Sequence, residues 1–140
     1  MSLVADVQSY LAALDIIDGS SEWPSVRRHA HDDTARLVVL TEDGGGEPET
    51  PSPTGIGDSA MMEPAVQVLV RGDPQDSDAA EAKAAEIFVA LHGLLQTEVG
   101  TMTYARIKAQ TPGPLFIGFD ESGRPEFTIS FRAVRPVTVS

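Results

Sequence analysis

The residue types best suited to chemistry sit together once in this chain, at His29-Ala30-His31-Asp32-Asp33. On a strand, alternate side chains share a face, so His29 and His31 could bind one metal ion with Asp33 as a further ligand. The spacing matches no established metal motif, and Arg27 and Arg28 lie beside it, where they repel a cation. The plainer reading is a solvated polar turn. His92, between Leu91 and Gly93, reads as a helix-end residue rather than a catalyst. No serine stands in a Gly-x-Ser-x-Gly elbow. Gly44-Gly45-Gly46 lacks the Lys-Ser/Thr of a phosphate loop and runs into acids that repel phosphate. Carboxylates are plentiful, but acid and base roles need buried sites that separate their pKa values, and these acids lie mostly in loops. Trp23, Tyr10 and Tyr104 are scattered, so no aromatic platform for a sugar is expected, and Trp23, Phe127 and Phe131 read as core. No catalytic, cofactor or metal residue is therefore assigned.

Composition agrees with that. The chain has 140 residues, 41% of them hydrophobic and 22% charged, which suits one globular domain. There is no cysteine, so disulfides and thiolate chemistry are excluded. Met1 to Leu14 is not expected to be a signal peptide, because Asp6 and Asp15 interrupt it and no basic stretch precedes it. No run approaches the length of an apolar membrane span. The net charge is −11, which repels nucleic acid and anionic membranes.

The charge is unevenly spread. Between Glu42 and Glu63 there are six acids (Glu42, Asp43, Glu47, Glu49, Asp58, Glu63) and no Lys or Arg. From Arg106 onward there are five basic residues (Arg106, Lys108, Arg124, Arg132, Arg135) and three acids (Asp120, Glu121, Glu126). Two unlike faces on one subunit suit head-to-tail association, although solubility alone also explains excess acid.

The elements that position these residues follow from periodicity. Residues 2–14 form an amphipathic helix capped by Ser2, with Val4, Val7, Leu11 and Leu14 on one face. Trp23-Pro24 opens an irregular stretch, and residues 35–41 form a strand. Residues 44–57, rich in Gly and Pro, cannot bury enough surface to order themselves and read as a mobile acidic loop. Residues 65–71 are the clearest strand. A helix capped by Ser77 or Asp78 runs from about Asp78 to Leu95 along an apolar stripe of Ala80, Ala84, Ile87, Phe88, Leu91, Leu94 and Leu95. Strands follow at 104–110 and 115–119. A turn at Asp120-Glu121-Ser122-Gly123 leads to a last strand at 124–134, which alternates Phe127, Ile129, Phe131 and Ala133 against Glu126, Thr128, Ser130 and Arg132. The expected fold is α+β: a mixed, largely antiparallel sheet of about five strands with two helices on one face.

The order of several motifs resembles the tail terminator (minor capsid) proteins of long-tailed bacteriophages. Val66-Gln67-Val68-Leu69-Val70-Arg71-Gly72 precedes a helix ending in Leu91-His92-Gly93. Tyr104-Ala105-Arg106-Ile107, Asp120-Glu121-Ser122-Gly123-Arg124-Pro125 and Phe127-Thr128-Ile129-Ser130-Phe131 follow. The resemblance covers roughly residues 3–135. It implies a structural virion protein, made in the host cytoplasm, that is not an enzyme and uses no cofactor. It also implies a ring, commonly hexameric, at the end of the tail tube. Its partners would be other copies of itself, the tail tube protein and the head–tail connector, with DNA passing through and no membrane involved. Arg71, Arg124 and Arg132, with Glu47, Glu49 and Asp58, are the candidate subunit or partner contacts. A head–tail connector is the neighbouring alternative, and a small metal-binding protein or enzyme built on His29, His31 and Asp33 is the one from another class.

Overall fold

The computed structural model describes residues 2–28, 30, 34–42 and 61–136. The acidic loop therefore lies outside the described residues. So do His29, His31 and Asp33 of the metal expectation.

The elements in chain order are α1 (Leu3–Ala13), β1 (Ser25–Arg27), β2 (Leu37–Glu42), β3 (Met61–Met62), β4 (Ala65–Arg71), α2 (Ser77–Leu91), β5 (Leu94–Val99), β6 (Met102–Ala109), β7 (Leu115–Phe119) and β8 (Pro125–Pro136). Ser2 caps α1 by accepting from the Ala5 N–H, as its sequence position requires. For α2 the cap is Asp76, accepting from the Ala79 N–H, rather than the expected Ser77 or Asp78.

The sheet runs β1-β2-β4-β8-β6-β5, with β3 and β7 also paired to β8. Among the described residues only β1–β2 is parallel, and every other pair is antiparallel. The α+β reading holds, and among the described residues the sheet has eight strands rather than about five. Two of the extra strands, β1 and β3, are only three and two residues long, too short for periodicity to register.

The third extra strand corrects the end of α2. Leu94 and Leu95 continue the helical stripe in sequence but belong to β5, and Leu95 is 67% exposed. His92 is already extended (φ −72°, ψ 128°) and Gly93 takes φ 84°, where only glycine is at ease. The Gly93 N–H then donates to the Ile107 carbonyl at 2.9 Å, so the sheet captures the backbone one residue after the helix cap. Pairing with β6 outweighs the local stripe.

One core lies between the sheet and both helices. Val7 and Leu11 of α1 and Ala84, Ile87 and Leu91 of α2 pack on Val68, Val70, Phe127, Ile129, Phe131 and Ala133. All four alternating residues of β8 are buried as their pattern predicts, and Trp23 joins the same core. In β2 the run Leu37-Val38-Val39-Leu40 is buried on both faces, as an unbroken apolar strand should be.

A polar knot closes this core. Asp6 is 1% exposed. Its Oδ1 accepts from the Thr101 N–H and hydroxyl, each at 3.2 Å, and its Oδ2 accepts from the Tyr104 hydroxyl at 2.7 Å. Gly100 (φ 65°) makes room, since a Cβ there would lie 2.6 Å from the Asp6 Cα. The first turn of α1 is thus tied to the β5–β6 turn. Burial, and then the hydrogen bond to Asp6, raises the Tyr104 phenol well above its ordinary pKa. The folded state keeps this proton where the unfolded chain loses it. The associated stability is therefore complete below about pH 10 and falls as pH rises beyond that. Urea denaturation should show Tyr104→Phe less stable by about 1–2 kcal/mol at neutral pH. The variant should also lack the extra loss of stability that the parent shows above about pH 10.

Candidate subunit and partner surfaces

The motif residues converge on one corner, where the β7–β8 hairpin meets the start of α2. Gly123 (φ 77°) lets the turn close, with its N–H on the Asp120 carbonyl at 3.0 Å. Asp120 Oδ1 accepts from the N–H groups of Ser122 and Arg124, both at 2.9 Å, and Oδ2 accepts from Arg124 Nε at 2.7 Å. Burial would push this carboxyl up, but the Arg124 and Ser122 hydrogen bonds outweigh it and hold Asp120 below its ordinary pKa. Glu126 goes the other way, raised by burial and by the charge of Asp120 despite Arg71 and Arg124.

The turn is latched to its neighbours through the backbone. Gly72 donates to the Pro125 carbonyl at 2.9 Å and Gln75 to the Gly123 carbonyl at 3.0 Å. A Cβ on Gly72 would lie 2.8 Å from the Ala80 Cβ, so the glycine after β4 permits α2 to approach. At the other end of α2, His92 Nδ1 accepts from the Ala109 N–H at 2.9 Å while its ring stacks on Phe88 at 4.9 Å. His92 is thus a latch between α2 and β6.

The candidate contact residues divide by place. Arg71 is 3% exposed; its guanidinium donates to the carbonyls of Ala35 (3.1 Å) and Thr34 (2.6 Å), and it sits opposite Glu126 in the sheet. It holds the chain entering β2 against the end of β4, a role its strand-end position did not reveal. Arg124 is committed to Asp120. Arg132 is the most accessible of the three, 3.8 Å from Glu63 with its side chain 42% exposed. Glu47, Glu49 and Asp58 lie outside the described residues. Among the described residues no group of three or more His, Asp or Glu side chains could hold a metal ion.

Sequence reasoning missed the surface of β7. Leu115, Phe116, Ile117 and Phe119 are each about half exposed in a strand of five. A bulge between Phe116 and Gly118 breaks the alternation, and the rings of Phe116 and Phe119 meet at 5.3 Å. The signal was available: Leu-Phe-Ile-Gly-Phe has no polar residue to face solvent. Contiguous apolar surface of this kind marks an interaction site.

A model of the bacteriophage tail terminator protein family matches residues 10–135. The chain belongs to that family. No curated protein sequence matches it significantly. Among solved structures, it is similar to a chain from the virion of a native gene transfer agent particle. The TM-score is 0.63 at 17% identity, over 97% of this chain and 96% of the other. At that identity the likeness is one of fold. Family membership makes this terminator-family chain a structural virion component of the tail.

The hairpin latch makes a specific demand on Gly123. Gly123→Val forces a β-branched residue to positive φ and brings its Cβ to about the position now 2.9 Å from Gln75 Nε2. Thermal or urea unfolding should show a loss of about 1–2 kcal/mol or more. Unchanged stability would contradict the role given to this turn.

Proposed function

We propose that copies of this chain assemble as a ring, six in the family pattern, on the finished end of a phage tail tube. The ring stops tube polymerisation and offers its other side to the head–neck connector. The observation that carries this reading is the family match across residues 10–135. Two features of the molecule support it. The motif residues serve shape: Gly72, His92, Gly93, Asp120 and Gly123 all hold element junctions. The largest exposed apolar side chains cluster on β7, where a partner can cover them.

The role requires no bond-making chemistry. Arg132, with Glu47, Glu49 and Asp58, remains proposed for direct partner contacts, whereas Arg71 and Arg124 contribute by fixing the sheet end and hairpin. An acidic subunit also suits a passage for DNA, because phosphate finds few free cations on which to stick.

The test is tube assembly with and without this chain. Tail tube protein expressed alone should polymerise to uncontrolled lengths. Added chain should bind tube ends, visible by negative-stain microscopy, and stop growth. Mass measurement of the capped ends should give a closed ring of copies. Tubes that grow unaffected would refute the proposal, and binding to the head portal instead of tube ends would reassign the chain as a connector.

A further inference from the structure

Two open edges of the sheet, β1 and β7, lie at the same height. Across one rung, Ser25 of β1 pairs with Val38, Val38 with Val70, Val70 with Phe127, and Phe127 with Phe116 of β7. The next rung runs Val26, Val39, Leu69, Thr128, Leu115 in the same way. Among the described residues, β1 bonds only to β2, and β7 only to β8. From the pairing senses, β7 runs antiparallel to β1.

We infer that β7 of one copy docks on the β1 edge of the next copy, and that this is the contact that closes the ring. The inference rests on the ring reading above and names its interface. The contact joins two different edges, so it is head-to-tail. Because the edges stand on the same rungs, adding a copy brings little shift along the strands, and a contact without rise closes a ring rather than a helix. Two identical patches meeting across a two-fold axis would instead make a dimer.

The receiving edge is shaped for such an occupant. A cavity of about 250 Å³ opens there, lined by Ser2, Val4, Arg27, Arg28 and Glu42. Antiparallel docking brings Leu115, at the start of β7, to the Arg27 end of β1, beside that cavity. Arg27 and Arg28 are exposed, with no ion pair among the described residues, and the incoming copy carries a net charge of −11. Part of the β1 edge is already closed, because Asp18 accepts from the Ser25 N–H at 2.8 Å. The carbonyl of Ser25 and the backbone of Arg27 point outward from the ladder.

Area explains why a second copy suits the patch. Four half-exposed apolar side chains offer about 400 Å², roughly half of the ~800 Å² per partner that a stable pair buries. One such contact is weak by itself, and a closed ring held on a template multiplies it.

The chain has no cysteine, so single thiols report unambiguously. Leu115→Cys and Val26→Cys, which the shared rungs set opposite one another, are made separately and together, with thermal unfolding as a check on folding. Each is oxidised on tubes formed from the tail tube protein of the same genome. A mixture of the two single variants should give a disulfide-linked dimer. The double variant should give a ladder ending in a closed ring, and neither single variant alone should cross-link. A second variant, Ile117→Lys, should unfold as the parent does yet fail to form rings on tube ends. Rings on tube ends without the 26–115 cross-link, or with Ile117→Lys assembling normally, would overturn this interface while leaving the ring reading intact. Parent protein that forms no ring on tubes would overturn both.

Discussion

Strand β8 is the constraint on which the rest of the molecule hangs. Its twelve residues are shared by four partners: β4 and β3 along one edge, β7 and β6 along the other. A slip of one residue would carry Phe127, Ile129, Phe131 and Ala133 to the wrong face and empty the core. Register must therefore be pinned where β8 begins. The Asp120–Arg124 turn does this, because its carboxylate gathers three hydrogen bonds within the turn and its backbone is tied to Gly72 and Gln75 beyond it. The same latch that sets β8 in register also sets β7 at the sheet's edge. Stability and the candidate interface thus share one cause.

Legibility in the sequence followed the range of the interaction. Where a side chain's role is set by near neighbours, the pattern was plain: the alternation of β8, the β4 strand at 65–71, the Ser2 cap and the Gly123 turn all stand where their residues imply. Where the role is set by distant partners, pattern was silent or misleading. Asp6 reads as an ordinary acid in a first helical turn, yet its partners are Thr101 and Tyr104, some 95 residues further on. Leu94 and Leu95 fit a helix by spacing and became a strand because Ile107 captures the preceding N–H. Arg71 looked like a strand-end charge and is buried, because two carbonyls before β2 need donors. In the candidate interface, charge drew attention to Arg71 and Arg124, while the β7 apolar strand was read only as a strand.

The motifs behind the family resemblance have a physical reading of their own. Arg-Gly at the end of β4, Leu-His-Gly at the end of α2 and Gly-Arg-Pro at the start of β8 are three junctions around one helix. Gly72 lets Ala80 approach; His92 and Gly93 hand the chain to β5 while holding β6; Gly123 and Arg124 start β8. Their shared property is that each satisfies a backbone group or removes a Cβ where two elements converge, which is what a rigid building block requires.

The exposed strand and the net charge act over different distances, and that difference is useful to an assembly protein. Like charges repel copies across a Debye length of about 8 Å at physiological ionic strength, which in the proposed assembly would oppose contact between free subunits. An apolar contact acts only when surfaces touch, and β7 offers too little of it to hold a pair alone. The balance tips where a template brings several copies into register at once, since each added neighbour then costs little further freedom. The guarding of the other edges fits the same logic. Asp18 occupies part of β1, and Glu98 with the bonded hydroxyl of Thr97 roughens β5, whereas β7 carries no charge at all. Edge strands left unguarded in this way aggregate unless something covers them. On the proposed ring reading, a short, bulged apolar edge matched in height to the partly closed β1 edge is one that a next copy would cover.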